Sequence, residues 1–250
     1  MTSFKDHFSQ VAAAYATHRP SYPTALVDVL APLASATGLA WDAGCGSGQL
    51  SVLLAERFER VWATDASDEQ LARATAHPRV TYRRAPAEAS GLADGVVDLA
   101  TAAQAAHWFD LPSYYAEVRR VTRPGGVIAL ISYGVMTVDS DVDAVVRPYY
   151  HDVLGPYWPP ERRHVDEGYR SLPFPFEEIS SQMPDLEIRL EWRFADVVGY
   201  LGTWSAMWAL QRAQGPAPLE GFHRALARVW GPAERIRIVR WPLALRVGRV

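Results

Sequence analysis

Residues 39–48 read Leu39-Ala40-Trp41-Asp42-Ala43-Gly44-Cys45-Gly46-Ser47-Gly48, and no other stretch of the chain constrains its fold as tightly. A short apolar run ends in an acid, and three glycines follow on alternate positions. Glycine at such a place lets the backbone turn sharply and approach a ligand that a Cβ would hold away. After Gly48 the period changes, with Leu50, Leu53, Leu54 and Phe58 recurring on one helical face. Val61-Trp62-Ala63-Thr64-Asp65 then reads as a second strand that again ends in an acid. Strand, turn, helix and strand in that order imply parallel strands joined by a right-handed crossover. Open parallel sheets bind their ligands at the carboxyl ends of the strands, which is where Asp42 and Asp65 fall.

The loop narrows the choice of ligand. It reads G-x-G-x-G, without the G-x-G-x-x-G spacing of a dinucleotide site and without the lysine that closes a phosphate-binding loop. Asp42 would repel a pyrophosphate and suits a positively charged amino group. Asp65 suits a ribose, whose hydroxyls donate to a carboxylate. A ligand with an ammonium at one end and a ribose at the other is S-adenosylmethionine. The backbone at Gly44, Gly46 and Gly48 is expected to lie against it, near the positive end of the following helix. Ala66, beside Asp65, is expected to line the adenine pocket. A nicotinamide dehydrogenase is disfavoured by the glycine spacing and by Asp42.

Strand-like segments recur near 39–42, 61–65, 79–83, 96–101 and 127–132, with helical segments between them. Ser67 and Gln70 form a capping pattern after the second strand, and Asp110-Leu111-Pro112 opens the helix after the fourth. Gly125-Gly126 is the expected turn into the fifth strand. Ahead of the sheet, Phe4, Phe8, Val11 and Tyr15 recur at helical spacing, and Ala25 to Leu33 reads as a further helix. Residues 1–35 are therefore expected to form a helical lid, and residues 36–135 the cofactor-binding core. Between 136 and 185 prolines interrupt every pattern, as expected of an insertion on the substrate side. Residues 186–250 are expected to complete the sheet, with a strand over 186–194, helices over 196–211 and 219–230, and a strand-like tail from Arg235 to Leu245.

Composition excludes several classes. A net charge of −3 lacks the basic face expected of a nucleic-acid binder. Cys45 is the single cysteine, which rules out a disulfide within the chain and a multi-cysteine zinc site. Inside the glycine loop Cys45 reads either as a reactive thiol or as a small residue that fits a turn. The sequence carries no signal-peptide-like run and no span of about 20 apolar residues, so a soluble, cytoplasmic protein is expected.

Further motifs follow in order: Ala87-Glu88, Val97-Asp98-Leu99 and Arg123-Pro124-Gly125-Gly126. With the glycine loop and Asp65, these resemble the motifs of class I methyltransferases. Tyr15-Ala16-Thr17-His18-Arg19-Pro20-Ser21-Tyr22-Pro23 and Gln104-Ala105-Ala106-His107-Trp108-Phe109-Asp110 are similar to signatures of the type 11 methyltransferases that group with trans-aconitate methyltransferase. The resemblance implies a Rossmann-like α/β fold: seven strands, mostly parallel with one antiparallel member, and helices on both faces.

It also implies roles. Ala87 and Glu88 stand where relatives place adenine contacts, although Pro86 replaces a common acid and shifts the contact to the Ala87 backbone. Gln104 faces the cofactor through its backbone or simply ends its strand. Arg19 grips the cofactor's carboxylate, and Tyr15 sets its ring near the sulfonium. His107, at the carboxyl edge, is the catalytic candidate, read as a packing residue, as a contact to the acceptor or as a general base. The acceptor implied is a small organic acid or secondary metabolite methylated on oxygen. Carbon or nitrogen methylation and a non-catalytic cofactor-binding protein are the alternatives. Trp158, Trp192, Trp204 and Trp208 are available for an acceptor pocket, with Trp204 and Trp208 expected in the core. Arg147, Arg162, Arg163 and Arg170 either pair with an anionic acceptor or belong to a solvated loop.

Overall fold

The computed structural model describes residues 20–250. The expected helix over 3–16, together with Tyr15 and Arg19, lies outside the described residues. Eight strands form one sheet: β1 (Leu39–Ala43), β2 (Arg60–Asp65), β3 (Val80–Arg84), β4 (Val97–Ala103), β5 (Thr122–Tyr133), β6 (Glu177–Glu178), β7 (Glu187–Trp192) and β8 (Arg237–Arg249). The strand order is β3-β2-β1-β4-β5-β8-β6, with β7 paired to β8 off this path. β1 to β5 are mutually parallel, whereas β8 runs antiparallel to β5 and to β6. The helices are α1 (Thr24–Leu30), α2 (Gln49–Leu54), α3 (Asp68–Leu71), α4 (Leu111–Val121), α5 (Ser140–Pro148), α6 (Arg162–Asp166), α7 (Phe194–Leu201), α8 (Ser205–Gln214) and α9 (Ala217–Trp230). Among the described residues no helix is long and apolar enough to cross a membrane.

The described chain divides into two compact units. The larger takes Ser21–Gly134, Arg163–Leu186 and Pro242–Val250, and the smaller takes Val135–Arg162 and Glu187–Trp241. The stretch 136–185, expected as one insertion, is thus shared between them. Its second part belongs with the sheet because Phe174 and Phe176 pack edge-on against Tyr115 of α4, and β6 pairs with β8.

In the larger unit, successive residues of β1 face opposite sides of the sheet. The Trp41 ring meets Tyr114 of α4 at 5.7 Å, while Asp42 bonds Ser51 of α2. The two helices therefore cover opposite faces. The right-handed crossover rule produces this arrangement, because chain direction across the sheet reverses between β1–β2 and β4–β5. Trp41, Ala100, Ile128, Leu130, Tyr114, Val118 and Val121 form the core on the α4 side. On the other side α2 packs on β1 and β2 and against α1, burying Leu50, Leu54 and Phe58 from one helix region and Leu26, Val27 and Leu30 from the other. Complete burial of one such leucine stabilises by about 1.5–3 kcal/mol.

Local signals behave as their chemistry dictates. Ser67 caps α3, its side chain accepting from the Gln70 N–H at 3.3 Å. Asp98, fully buried near the start of β4, accepts from the Leu39 N–H at 2.8 Å and pairs with Arg123 at 2.9 Å. The Val97-Asp98-Leu99 and Arg123 motifs thus lock the amino edge of the sheet, opposite the glycine loop. β5 begins at Thr122, earlier than expected, because Thr122 pairs with Val97 before the register jumps to Val127 opposite Leu99. Arg123-Pro124-Gly125-Gly126 bulge out within the strand instead of preceding it.

In the smaller unit the helix expected over 196–211 is two helices. α7 ends at Gly202, where the Thr203 hydroxyl turns back to the Tyr200 carbonyl at 2.6 Å, and α8 starts after Trp204. That break explains why Trp208, expected in the core, is 45 % exposed and donates its indole N–H to the Gly202 carbonyl, while Trp204 is buried.

Candidate functional site

The site is assembled at the carboxyl ends of β1, β2 and β4, entirely within the larger unit. Gly44, Gly46 and Gly48 all hold positive φ, at 67°, 55° and 84°. Two of them show different reasons for glycine. A Cβ on Gly44 would lie 2.6 Å from the Ala105 Cβ and 3.0 Å from the Phe109 ring, so the segment after β4 packs directly on the first glycine. Among the described residues, a Cβ on Gly46 would find nothing closer than the Gln70 side chain at 3.8 Å, so they leave the cradle open there. The loop is stitched down by the Cys45 N–H to the Thr64 carbonyl, at 3.0 Å, and the Gly48 N–H to the Cys45 carbonyl, at 2.9 Å.

Asp65 closes the same loop. One carboxylate oxygen accepts from the Gly46 N–H and the other from the Ser67 N–H, each at 2.8 Å. A carboxylate has about four acceptor positions, so capacity remains for ligand hydroxyls. Burial pushes its pKa above the ordinary carboxylate value, while the backbone N–H donors oppose the shift. Ala66 follows it, half-buried at the tip of β2.

Asp42 is 1 % exposed, deeper than the sequence suggested. Its oxygens accept from the Ser51 hydroxyl at 2.6 Å and the Thr101 hydroxyl at 3.0 Å. Burial raises its pKa to about 6 against those two hydrogen bonds, and the Asp65 charge adds to the rise. Neither hydroxyl was singled out from sequence. The available signal was Thr101, a polar residue inside the apolar run of β4, paired with Asp42 by register. Cys45 behaves as a small turn residue, since burial and the charges of Asp42 and Asp65 push its thiol pKa up and leave no thiolate at neutral pH.

Gln104, the first residue after β4, has φ 54°, a region that non-glycine residues enter only when neighbours enforce it. Its N–H donates to the Ile131 carbonyl at 2.8 Å and its side-chain amide to the Tyr133 carbonyl at 2.7 Å. His107 follows in a short 3₁₀ turn, Ala106–Trp108. Its Nδ1 lies 2.8 Å from the Tyr169 hydroxyl, a partner the sequence did not suggest from 62 residues away. Glu88 is half-buried and accepts from the Asp110 N–H at 2.9 Å, tying the loop after β3 to the start of α4, and Ala87 is buried beside it. The structure therefore gathers Asp42, Gly44, Gly46, Gly48, Asp65, Ala66, Ala87, Glu88, Gln104 and His107 at one edge of the sheet.

The donor set fits a cationic nucleoside. Two carboxylates flank an open glycine cradle and the loop carries no lysine or arginine, which disfavours phosphate and favours an ammonium or sulfonium group. Of the tryptophans and arginines singled out from sequence, Trp158 and Trp192 are half-buried in the smaller unit, where Arg147 lies near Asp143, and Arg163 in the larger unit lies near Glu167.

Residues 41–130 match the family model described as a methyltransferase domain. A protein of Dictyostelium discoideum that carries the name methyltransferase is 35 % identical over 216 residues, covering 85 % of this chain and 81 % of that one. The solved structure of a chain from Anaeromyxobacter dehalogenans, named a type II methyltransferase, is 53 % identical, with a TM-score of 0.87 over 92 % of this chain and 97 % of that one. The malonyl-[acyl-carrier protein] O-methyltransferase of Pectobacterium atrosepticum is 32 % identical over 171 residues, or 59 % of this chain and 68 % of that protein. With the glycine cradle and its two carboxylates in place at the switch point of the sheet, the chain belongs to the class I methyltransferases that use S-adenosylmethionine.

Proposed function

We propose that this methyltransferase acts on an oxygen of a small organic acid or secondary metabolite. The observation that carries the proposal is the setting of His107. It stands at the carboxyl edge of the sheet in the segment that packs on Gly44, with its Nδ1 2.8 Å from the Tyr169 hydroxyl. An ionised carboxylate acceptor needs orientation and no proton removal. The O-methyltransferase name of the Pectobacterium relative supports the choice of oxygen.

Bound S-adenosylmethionine supplies a methyl group already activated by its sulfonium. The chain's part is to bind, align and exclude water, and alignment accounts for much of the rate in such a displacement. Asp65 takes the ribose hydroxyls with its remaining lone pairs. Asp42 acts on the methionine amino end through water, since its carboxylate is almost fully buried between Ser51 and Thr101. The backbone of Gly44, Gly46 and Gly48 forms the cradle. Ala66, Ala87 and Glu88 border the adenine, and the strained Gln104 presents its backbone to the cofactor. Arg19 and Tyr15 are assigned to the carboxylate and sulfonium ends. His107 contacts the acceptor.

Calorimetric titration with S-adenosylmethionine, S-adenosylhomocysteine and NADH, followed by turnover with a panel of small acids, phenols and amines, tests this. Binding of the first two ligands with turnover of acids is expected. Turnover confined to amines or carbon acids overturns the oxygen assignment.

A further inference from the structure

Asp42 is 1 % exposed, yet among the described residues the groups that act on its charge are Ser51, Thr101 and Asp65, and no arginine, lysine or histidine. A carboxylate taken out of water without a cation tends to take up a proton. Two hydroxyls oppose that here, one on each oxygen. Ser51, in the first turn of α2, donates to Oδ2 at 2.6 Å, within the short range of a hydroxyl bonded to an ionised carboxylate. Thr101 of β4, beside Asp42 in the register of the sheet, donates to Oδ1 at 3.0 Å. The Trp41 carbonyl lies 3.3 Å from the same hydroxyl, but its one proton goes to the nearer, charged acceptor. Both side chains are fully buried. Alanine and valine would fill these places equally well, so the hydroxyls are what the two positions supply.

A hydroxyl and a guanidinium stabilise a carboxylate differently. Both favour the ionised form, but the hydroxyl is neutral and leaves the full negative charge in place. In a buried, poorly screened setting that charge acts on a cation beyond hydrogen-bond distance or through one water. We propose that Ser51 and Thr101 are positioning residues that keep the buried Asp42 ionised through neutral donors, and so reserve its charge for the ammonium group of S-adenosylmethionine. The proposal rests on the assignment of Asp42 to the methionine amino end. Binding is then linked to a proton. Burial raises the Asp42 pKa to about 6 against the two hydrogen bonds. Above that pH the carboxylate is charged before the ligand arrives, and below it the ammonium has to displace a proton. The other titratable groups turned toward Asp42 are Asp65 of β2, Cys45 of the glycine loop, Tyr82 of β3 and Tyr114 of α4. Burial pushes the thiol and both phenols up, so they stay neutral near pH 6, and α2 and β4 bring only Ser51 and Thr101 to the carboxylate. Asp65, itself shifted upward by burial, and His107, in the segment that packs on Gly44, are the groups whose titration has to be told apart from that of Asp42.

The test is calorimetric titration of the full-length protein with S-adenosylmethionine at intervals from about pH 5 to about pH 7, where the ligand's amino group stays protonated. Wild-type affinity should fall about tenfold across that range, with its midpoint near the Asp42 value of about 6. Ser51→Ala and Thr101→Val should each move the midpoint up by about one pH unit, the equivalent of one hydrogen bond to a charged group. Thr101→Ser, which keeps the hydroxyl, should leave it in place. A purely structural loss would weaken binding at every pH and leave the midpoint where it was. Asp42→Asn should bind weakly with a flat profile. A fall that persists in Asp42→Asn belongs to Asp65 or His107 and overturns the proposal, as does a wild-type affinity that stays constant over the range. Unmoved midpoints in Ser51→Ala and Thr101→Val, beside a weak and flat Asp42→Asn, overturn the role of the hydroxyls and leave the assignment of Asp42 standing. An Asp42→Asn protein that binds as tightly as the wild type at every pH overturns that assignment itself. Should one hydroxyl variant fail to fold, the other decides.

Discussion

The Asp65 carboxylate accepts a hydrogen bond from the Gly46 N–H at 2.8 Å, so the tip of β2 holds the middle of the loop that leaves β1. The acid proposed to hold the ribose therefore also shapes the cradle. Its second oxygen does similar work on the other side, accepting from the Ser67 N–H that precedes α3. Loss of this side chain loosens the loop and, on the proposed assignment, removes the ribose contact as well.

Asp65→Ala should accordingly weaken S-adenosylmethionine binding by about 1.5–3 kcal/mol, tenfold or more, in a protein that still unfolds cooperatively. Calorimetric titration reads the affinity and circular dichroism the fold. Unchanged affinity would show that the ribose is held elsewhere.

Asp42 carries a pH-dependent prediction. Its pKa rises on folding to about 6 because the carboxylate is buried. Between the ordinary value, near 4, and about 6 the native state holds a proton that the unfolded chain has released. Stability from this group is therefore present below about pH 4 and lost as pH rises through about 6. Asp42→Asn keeps the shape and the two hydroxyl partners without the charge. It should stabilise the ligand-free protein by about 1–3 kcal/mol at neutral pH, with the gain vanishing below about pH 4. Thermal melts of both proteins across that range check it, and a variant less stable than the wild type at neutral pH would refute the buried-charge cost.

Gly44 and Gly46 should respond differently to alanine. At Gly44 the new methyl group meets the Ala105 Cβ and the Phe109 ring, so Gly44→Ala should lose at least about 2 kcal/mol of stability. At Gly46 the methyl group meets none of the described residues closer than 3.8 Å, so Gly46→Ala should cost about 1–2 kcal/mol, from backbone strain. Its larger effect should fall on S-adenosylmethionine affinity. Melting temperatures paired with titrations separate the two, and a Gly46→Ala protein that binds normally would place the cofactor away from the cradle.

His107→Ala should leave S-adenosylmethionine affinity intact and raise the KM for a carboxylate acceptor by about tenfold, the loss of one charge-assisted hydrogen bond. A fall of several orders in kcat with KM unchanged would instead make His107 a general base.

Much of this was legible in the chain itself. The period-two to period-3.6 switch at the glycines located β1 and α2, and Ser67 marked the start of α3 through its own capping chemistry. The parallel order followed from strand-helix alternation, and the edge bearing Asp42 and Asp65 followed from the parallel order. These features depend on neighbours a few residues apart, whose spacing is written directly in the sequence.

Tertiary structure alone decided the rest. Whether Asp42 meets solvent or hydroxyls depends on the register of β1 with β4 and on the first turn of α2, which together enclose it between Thr101 and Ser51. Gln104 is driven into the left-handed region by bonds to β5, and Tyr169 by bonds to Arg246. The break at Gly202 turned Trp208 outward from a face that helical periodicity would have buried. In each case the deciding partner is a hydroxyl, carbonyl or guanidinium brought near by folding, and local propensity holds no record of it.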